Sequence, residues 1–144
     1  MKKIELLNAY LSNLAVLNIK LHSYHWNVTG INFVAIHNYT ESMYNEAFES
    51  LDAVAELIKM KGEMPLSSLK SYLTHASIEE LEGKSLSAKD VLNNLISDLE
   101  LIKRQALEIR ALADEEDDFS TVNLFENQVE SYNKHLWFLK TMNL

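Results

Sequence analysis

HSYHWNVTGINFVAIH, residues 22–37, places three of the five histidines of a 144-residue chain around one turn signal, Thr29-Gly30. Upstream, Ile4, Leu11, Asn18 and His25 recur every seven residues, and Leu7, Leu14, Leu21 and Val28 form a second such row. Two rows of this kind are the inward positions of an amphipathic helix, which predicts a helix over about 3–28. Downstream, Ile36, Met43, Tyr44, Ala47, Leu51, Val54, Ala55 and Ile58 mark a second helix over about 34–61, stopped by Gly62 and Pro65. The quoted stretch is therefore a tight link between two long helices, and its histidines sit at that corner.

The rest of the chain repeats this grammar. Residues 66–86 read as a connector with one short helix inside PLSSLKSYL. Ser87 is a plausible N-cap, with Asp90 three residues on. A third helix follows over about 88–113, carried by Val91, Leu92, Leu95, Leu99, Ile102, Ala106, Ile109 and Leu112. The acidic run DEEDD, residues 114–118, is expected to break it, and Ser120 or Thr121 to begin a fourth helix through Leu124, Phe125, Val129, Tyr132, Leu136 and Leu139. One proline and three glycines leave room for long helices. Two tight links and one long middle connection predict an all-α, four-helix bundle whose connector crosses the bundle. That is ferritin-like connectivity, with a short helix in the crossover between the second and third long helices and a single domain over residues 1–144.

Composition narrows the function classes. The chain has no cysteine, which excludes disulfides and thiolate chemistry and fits a reducing cytoplasm. No apolar run approaches the length of a membrane span, and MKKIELLNAYLSNL reads as an amphipathic helix, not a signal peptide. The formal net charge of −8 makes nucleic acid a poor default partner and divalent cations a better one.

The usual di-iron bundle site needs Glu-x-x-His on two helices. No histidine here has a glutamate three residues before it, so a site inside the bundle is not expected. Asp52 and Glu56 are four apart on the second helix, about 40° apart in projection and one turn apart along the axis. They lie roughly 100° to 160° from the centre of that helix's apolar stripe, so they point away from the chain's own core. Two readings stand for such a pair: a solvated face, the commoner outcome, or half of a cation site completed from elsewhere. His25, on an apolar row, is either a hydrogen-bonded core histidine or a ligand. His37 is either a ligand or a surface residue, and His22 a packing residue or a partner of His25. Trp26, Phe33 and Trp137 read as packing residues, and His75 and His135 have no assigned role.

The combination is more specific than its parts. HWNVTGINFVAIH, then Tyr44, Asp52-x-x-x-Glu56 and Gly62-x-x-Pro65 closely resembles the Dps family, the miniature ferritins or DNA-protection proteins of starved bacterial cells. The connector PLSSLKSYLTHASIEE and the final KHLWFLK extend the resemblance over nearly the whole chain. It implies a shell of twelve copies with metal sites between two-fold-related subunits. Asp52 and Glu56 of one copy would bind iron with His25 of its neighbour, and His37 would lie in the outer shell or on a second metal. Trp26 would adjoin the site as an electron donor. The implied activity is ferroxidase: Fe(II) oxidised, with hydrogen peroxide preferred to dioxygen, and Fe(III) stored as mineral, with zinc as a substitute metal. The alternative is a DNA-condensing stress protein with incidental metal binding. DNA-binding members carry a basic tail, whereas Lys2 and Lys3 here lead directly into the first helix, so DNA binding is not expected. Asn123 stands where pore-lining members often have aspartate, with Asp114, Glu115, Asp117 and Asp118 close enough to keep an entrance negative.

Overall fold

A computed structural model describes residues 2–144. Four long helices, α1 (Lys3–Asn27), α2 (Phe33–Met60), α4 (Ala88–Glu115) and α5 (Phe119–Met142), form the bundle, and the short helix α3 (Leu69–His75) lies in the crossover. The predicted rows are the buried ones. Leu7, Leu11, Leu14 and Leu21 on α1 pack with Val54 and Ile58 on α2, Leu95, Leu99 and Ile102 on α4, and Phe125 and Leu139 on α5. Each such leucine contributes roughly 1.5–3 kcal/mol by leaving water. Tyr10 is wholly buried at the centre and sets its ring edge-on to Phe125, with centroids 4.9 Å apart. Its hydroxyl is satisfied by Gln128 and Tyr132. Among the described residues no helix is long and apolar enough to cross a membrane.

Helix ends follow local chemistry. Gly30, at φ +107°, takes the left-handed conformation that lets α1 turn into α2. Ser87 caps α4 by accepting from the Asp90 amide, as expected. The α4–α5 corner differs from expectation. The acidic run does not stop α4 at its first residue, and the helix continues to Glu115. Asp117, at φ +55°, then takes the left-handed position of a Schellman closure, with amide bonds from Asp118 to Ala113 and from Asp117 to Asp114. The cap of α5 is Asp118, accepting from the Thr121 amide, so the helix starts at Phe119 and not at Ser120 or Thr121.

Asp118 also meets Lys3 at 2.7 Å and pairs with Lys61, tying α1 and the end of α2 to the α4–α5 corner. Although burial opposes ionisation, these lysines and Thr121 hold its carboxyl well below the usual carboxylate range. Its charge is balanced within this corner by Lys3 and Lys61.

The crossover, residues 61–87, is pinned by side chains of α1. Asn8 accepts from the Leu66 amide at 2.9 Å. Asn13, wholly buried, accepts from the amides of Ser77 and Ile78 and donates to Gln105 on α4 at 2.7 Å. A parallel bridge of two residues, Val28 to Leu86 and Thr29 to Ser87, fastens the end of the crossover beside the first helical corner.

Candidate metal centre

The corner quoted at the outset is a built object. His25 closes α1 with its side chain buried, 5% exposed, and His37 enters one turn into α2. His25 Nδ1 lies 2.6 Å from the His37 carbonyl oxygen, and His37 Nδ1 lies 2.8 Å from the His25 carbonyl oxygen. A carbonyl only accepts, so each Nδ1 donates. In the neutral imidazoles both Nε2 lone pairs are thereby left free, the state in which imidazole binds a metal, with the other ring nitrogen fixing the ring. The two rings stack with centroids 3.6 Å apart and planes 15° apart, and Phe33 stacks on the outer face of His37 at 5.0 Å.

Glu41, four residues after His37, brings Oε1 to 4.0 Å from His25 Nε2. This carboxylate was not among the residues expected at the site. His22 donates from Nδ1 to the Asn18 carbonyl at 2.7 Å and stacks on Tyr44 at 3.8 Å. Trp26 lies against His22, centroids 5.5 Å apart, and is 66% exposed. Trp137 is 65% exposed and Phe33 is at the surface. None of the three is packed in this chain's core, contrary to the packing reading.

Asp52 and Glu56 occupy the exposed face of α2, as the helical projection requires. The hydrogen bond with Asp52, and after it the charge of that carboxylate, pushes the Glu56 carboxyl above the ordinary range. Two carboxylates share one proton more readily than two charges. From His37 to Asp52 the helix rises about 22 Å, so the structure does not bring the histidines and the carboxylate pair together within one chain. Among the described residues no three His, Cys, Asp or Glu side chains converge to hold a metal ion.

Two histidines escaped the expected constellation in different ways. His75 ends α3 at the surface, donating to its own helix at Ser71. His135, given no role from sequence, is bonded to Glu46 and Tyr39 in the seam between α2 and α5.

The family model for the ferritin-like domain matches residues 4–143. The DNA protection during starvation protein of Brevibacillus brevis is 35% identical over 135 residues, 94% of this chain and 90% of the relative. Among solved structures, antigen TpF1 of Treponema pallidum superposes with a TM-score of 0.96 at 28% identity, covering 98% of this chain and 90% of that one. Dps of Listeria innocua, from a zinc-soaked crystal, superposes with a TM-score of 0.94 at 32% identity, covering 98% and 95%. With matching helices, the same crossover helix and near-complete coverage on both sides, the chain belongs to the ferritin-like family and, within it, to the Dps proteins.

Proposed function

We propose that the protein is a cytoplasmic ferroxidase and iron store, working as a shell of twelve copies that consumes Fe(II) and hydrogen peroxide together and so limits oxidative damage. The observation that carries this reading is the division of the ligands. One chain presents a histidine corner with two free Nε2 lone pairs and, about 22 Å along the same helix, a carboxylate pair with no cation. Each is half of a donor set, and a second copy supplies the other half. Imidazole nitrogen with carboxylate oxygen suits Fe(II), and so small a set leaves coordination positions open to an oxidant.

His25 and His37 bind through Nε2 without first having to release a proton from that atom. Asp52 and Glu56 bind as carboxylates, and a cation between them relieves their mutual repulsion. Trp26, beside His22, is the donor of a further electron when oxidation outruns Fe(II) supply. Taking two electrons from a pair of ferrous ions reduces peroxide to water without releasing a hydroxyl radical. The preference for hydrogen peroxide over dioxygen follows from the family resemblance and is checked by comparing the two oxidants at equal Fe(II). Zinc fits the same donors and cannot be oxidised, so it should act as a blocking substitute.

The test mixes subunits. Glu56→Ala chains and His25→Ala chains, each inactive alone, are disassembled and reassembled together. Mixed interfaces regain some intact ligand sets, and Fe(II) oxidation returns in part. Shells that form normally in the mixture yet stay at the single-variant rate would overturn the shared site.

The name of the relatives raises DNA binding as a second reading. A net charge of −8, with Lys3 engaged by Asp118 and Glu116, argues against it. No retardation of duplex DNA is expected at neutral pH and moderate salt. A shift that weakens steeply with added salt would point instead to a basic surface made by assembly.

A further inference from the structure

The seam between α2 and α5 carries a hydrogen-bonded chain that the metal centre does not use. His135 Nε2 lies 2.7 Å from Glu46 Oε2, and the Tyr39 hydroxyl lies 2.6 Å from His135 Nδ1. Ser131 donates to the other carboxylate oxygen of Glu46. The His135 side chain is 15% exposed, and the Tyr39 ring meets the imidazole edge-on with centroids 5.6 Å apart. Beside them opens a groove of about 530 Å³, lined also by Ser42, Glu130 and Lys134, which admits small solutes.

The proton positions follow from what each group can donate. The hydrogen bond from His135 holds Glu46 below the ordinary carboxylate range, against its burial. An ionised carboxylate only accepts, so His135 Nε2 carries the hydrogen, and in the neutral imidazole Nδ1 is then a lone pair. The Tyr39 hydroxyl therefore donates to Nδ1. A phenol already bonded to a base can lose its proton along that bond as its electron leaves. The other tyrosines lack this arrangement. Tyr10 and Tyr132 meet each other and Gln128, and Tyr72 donates to the Leu66 carbonyl. Tyr24 donates to Asp98, which Lys20 already pairs. Tyr44 has the exposed carboxylate of Glu41 beside it, not an imidazole nitrogen.

We propose that Tyr39, His135 and Glu46 form a proton-coupled electron donor that traps strong one-electron oxidants, of which the hydroxyl radical is the smallest. One electron leaves Tyr39 and reduces hydroxyl radical to hydroxide. The phenolic proton moves to His135 Nδ1, and the imidazolium so formed is held by the ionised Glu46 at Nε2. The products are a neutral Tyr39 phenoxyl radical, protonated His135, ionised Glu46 and hydroxide. Tyr39 is the redox residue, His135 receives the proton, and Glu46 positions and stabilises the imidazolium. The step needs no ligand of the metal centre.

The test uses the assembled, iron-free protein. A photo-oxidised ruthenium tris-bipyridine complex, with persulfate as electron acceptor, oxidises it, and the frozen sample is read by electron paramagnetic resonance. The expected signal is a neutral tyrosyl radical, narrowed by ring-deuterated tyrosine and not by ring-deuterated tryptophan. It should show an exchangeable hydrogen bond to the phenoxyl oxygen that deuterium oxide removes. Tyr39→Phe should abolish that signal, and His135→Gln should slow its formation at least about tenfold through loss of the positioned base. A purely structural clasp would lower the melting temperature in these variants and leave radical formation unchanged, which would overturn the proposal. So would a tryptophan radical, or a tyrosyl radical without the exchangeable proton, in the unsubstituted protein, where folding of variants does not enter.

Discussion

The histidine corner joins the end of α1 to the start of α2, the carboxylate face lies further along α2, and the two are finished to different degrees. The corner is closed by two short reciprocal hydrogen bonds, a stacked ring pair and burial of His25. Asp52 and Glu56 stand in solvent with only each other for company, and the neighbouring charge shows in Glu56. A ligand that must present one tautomer needs a rigid seat, which this chain supplies alone. A carboxylate pair needs only the spacing of one helical turn, and its repulsion is relieved by a cation. The contrast is the one a shared site would leave in a single chain.

Breaking either half should have the largest effect. Asp52→Ala, Glu56→Ala and His25→Ala should each slow peroxide-driven Fe(II) oxidation at least about tenfold, equivalent to about 1.4 kcal/mol at the transition state. Stopped-flow absorbance reads this directly. His37→Ala should cost less if the outer position is the weaker one. The proposed shell should still elute as the unsubstituted protein does if its assembly does not depend on the metal; loss of assembly in all four would make the corner a structural element instead.

A third carboxylate sharpens the contrast, because Asp118 is held by cations where Glu56 has none. Its folded-state ionisation is depressed. Its stabilising effect is therefore complete above the unfolded carboxylate value, near pH 4, and is lost as pH falls further. Asp118→Asn should flatten the acid limb of stability below about pH 4 while keeping the cap. Asp118→Ala should cost about 1 kcal/mol more through loss of the α5 cap. Denaturant midpoints across pH separate the two, and identical acid limbs in Asn variant and parent would discard the lysine account.

The smallest effect has the opposite sign. Like charges four apart on a helix destabilise by about 0.2–0.5 kcal/mol. Glu56→Gln should therefore raise the melting temperature of the metal-free protein slightly while abolishing oxidation. A lower melting temperature would show that the pair supports the fold in some other way.

What could be read from sequence tracks the range of the interactions. The four long helices, the Thr29-Gly30 turn and the Ser87 cap rest on residues within a few positions of one another and appear as expected, apart from the ends that meet at the α4–α5 corner. The outward aim of Asp52 and Glu56 was also legible, since a helical projection needs only spacing. Glu41 left a usable signal, His37-x-x-x-Glu41, one turn on the same helix. The di-iron bundle motif places the glutamate before the histidine, and here it follows. The Glu46–His135 bond joins two helices 89 positions apart in the chain, and no local spacing announces it. The two-residue bridge from Val28 and Thr29 to Leu86 and Ser87 is equally silent, being too short to carry a strand pattern. Trp26 and Trp137 look apolar in composition, while their exposure depends on which face of a finished bundle they meet.

The pinned crossover also bears on the order in which the molecule assembles. Contacts within the α1–α2 hairpin and within the α4–α5 hairpin close short loops, whereas Asn13 and the Val28–Leu86 bridge join parts separated by all of α2 and more than half of the connector. Local closures come first when loop entropy sets the pace. The first hairpin contains His25 and His37 together with the carbonyls that orient them, so the nitrogen half of the centre takes shape as soon as residues 3–60 are folded. A chain emerging from the ribosome would present that half before the last two helices exist.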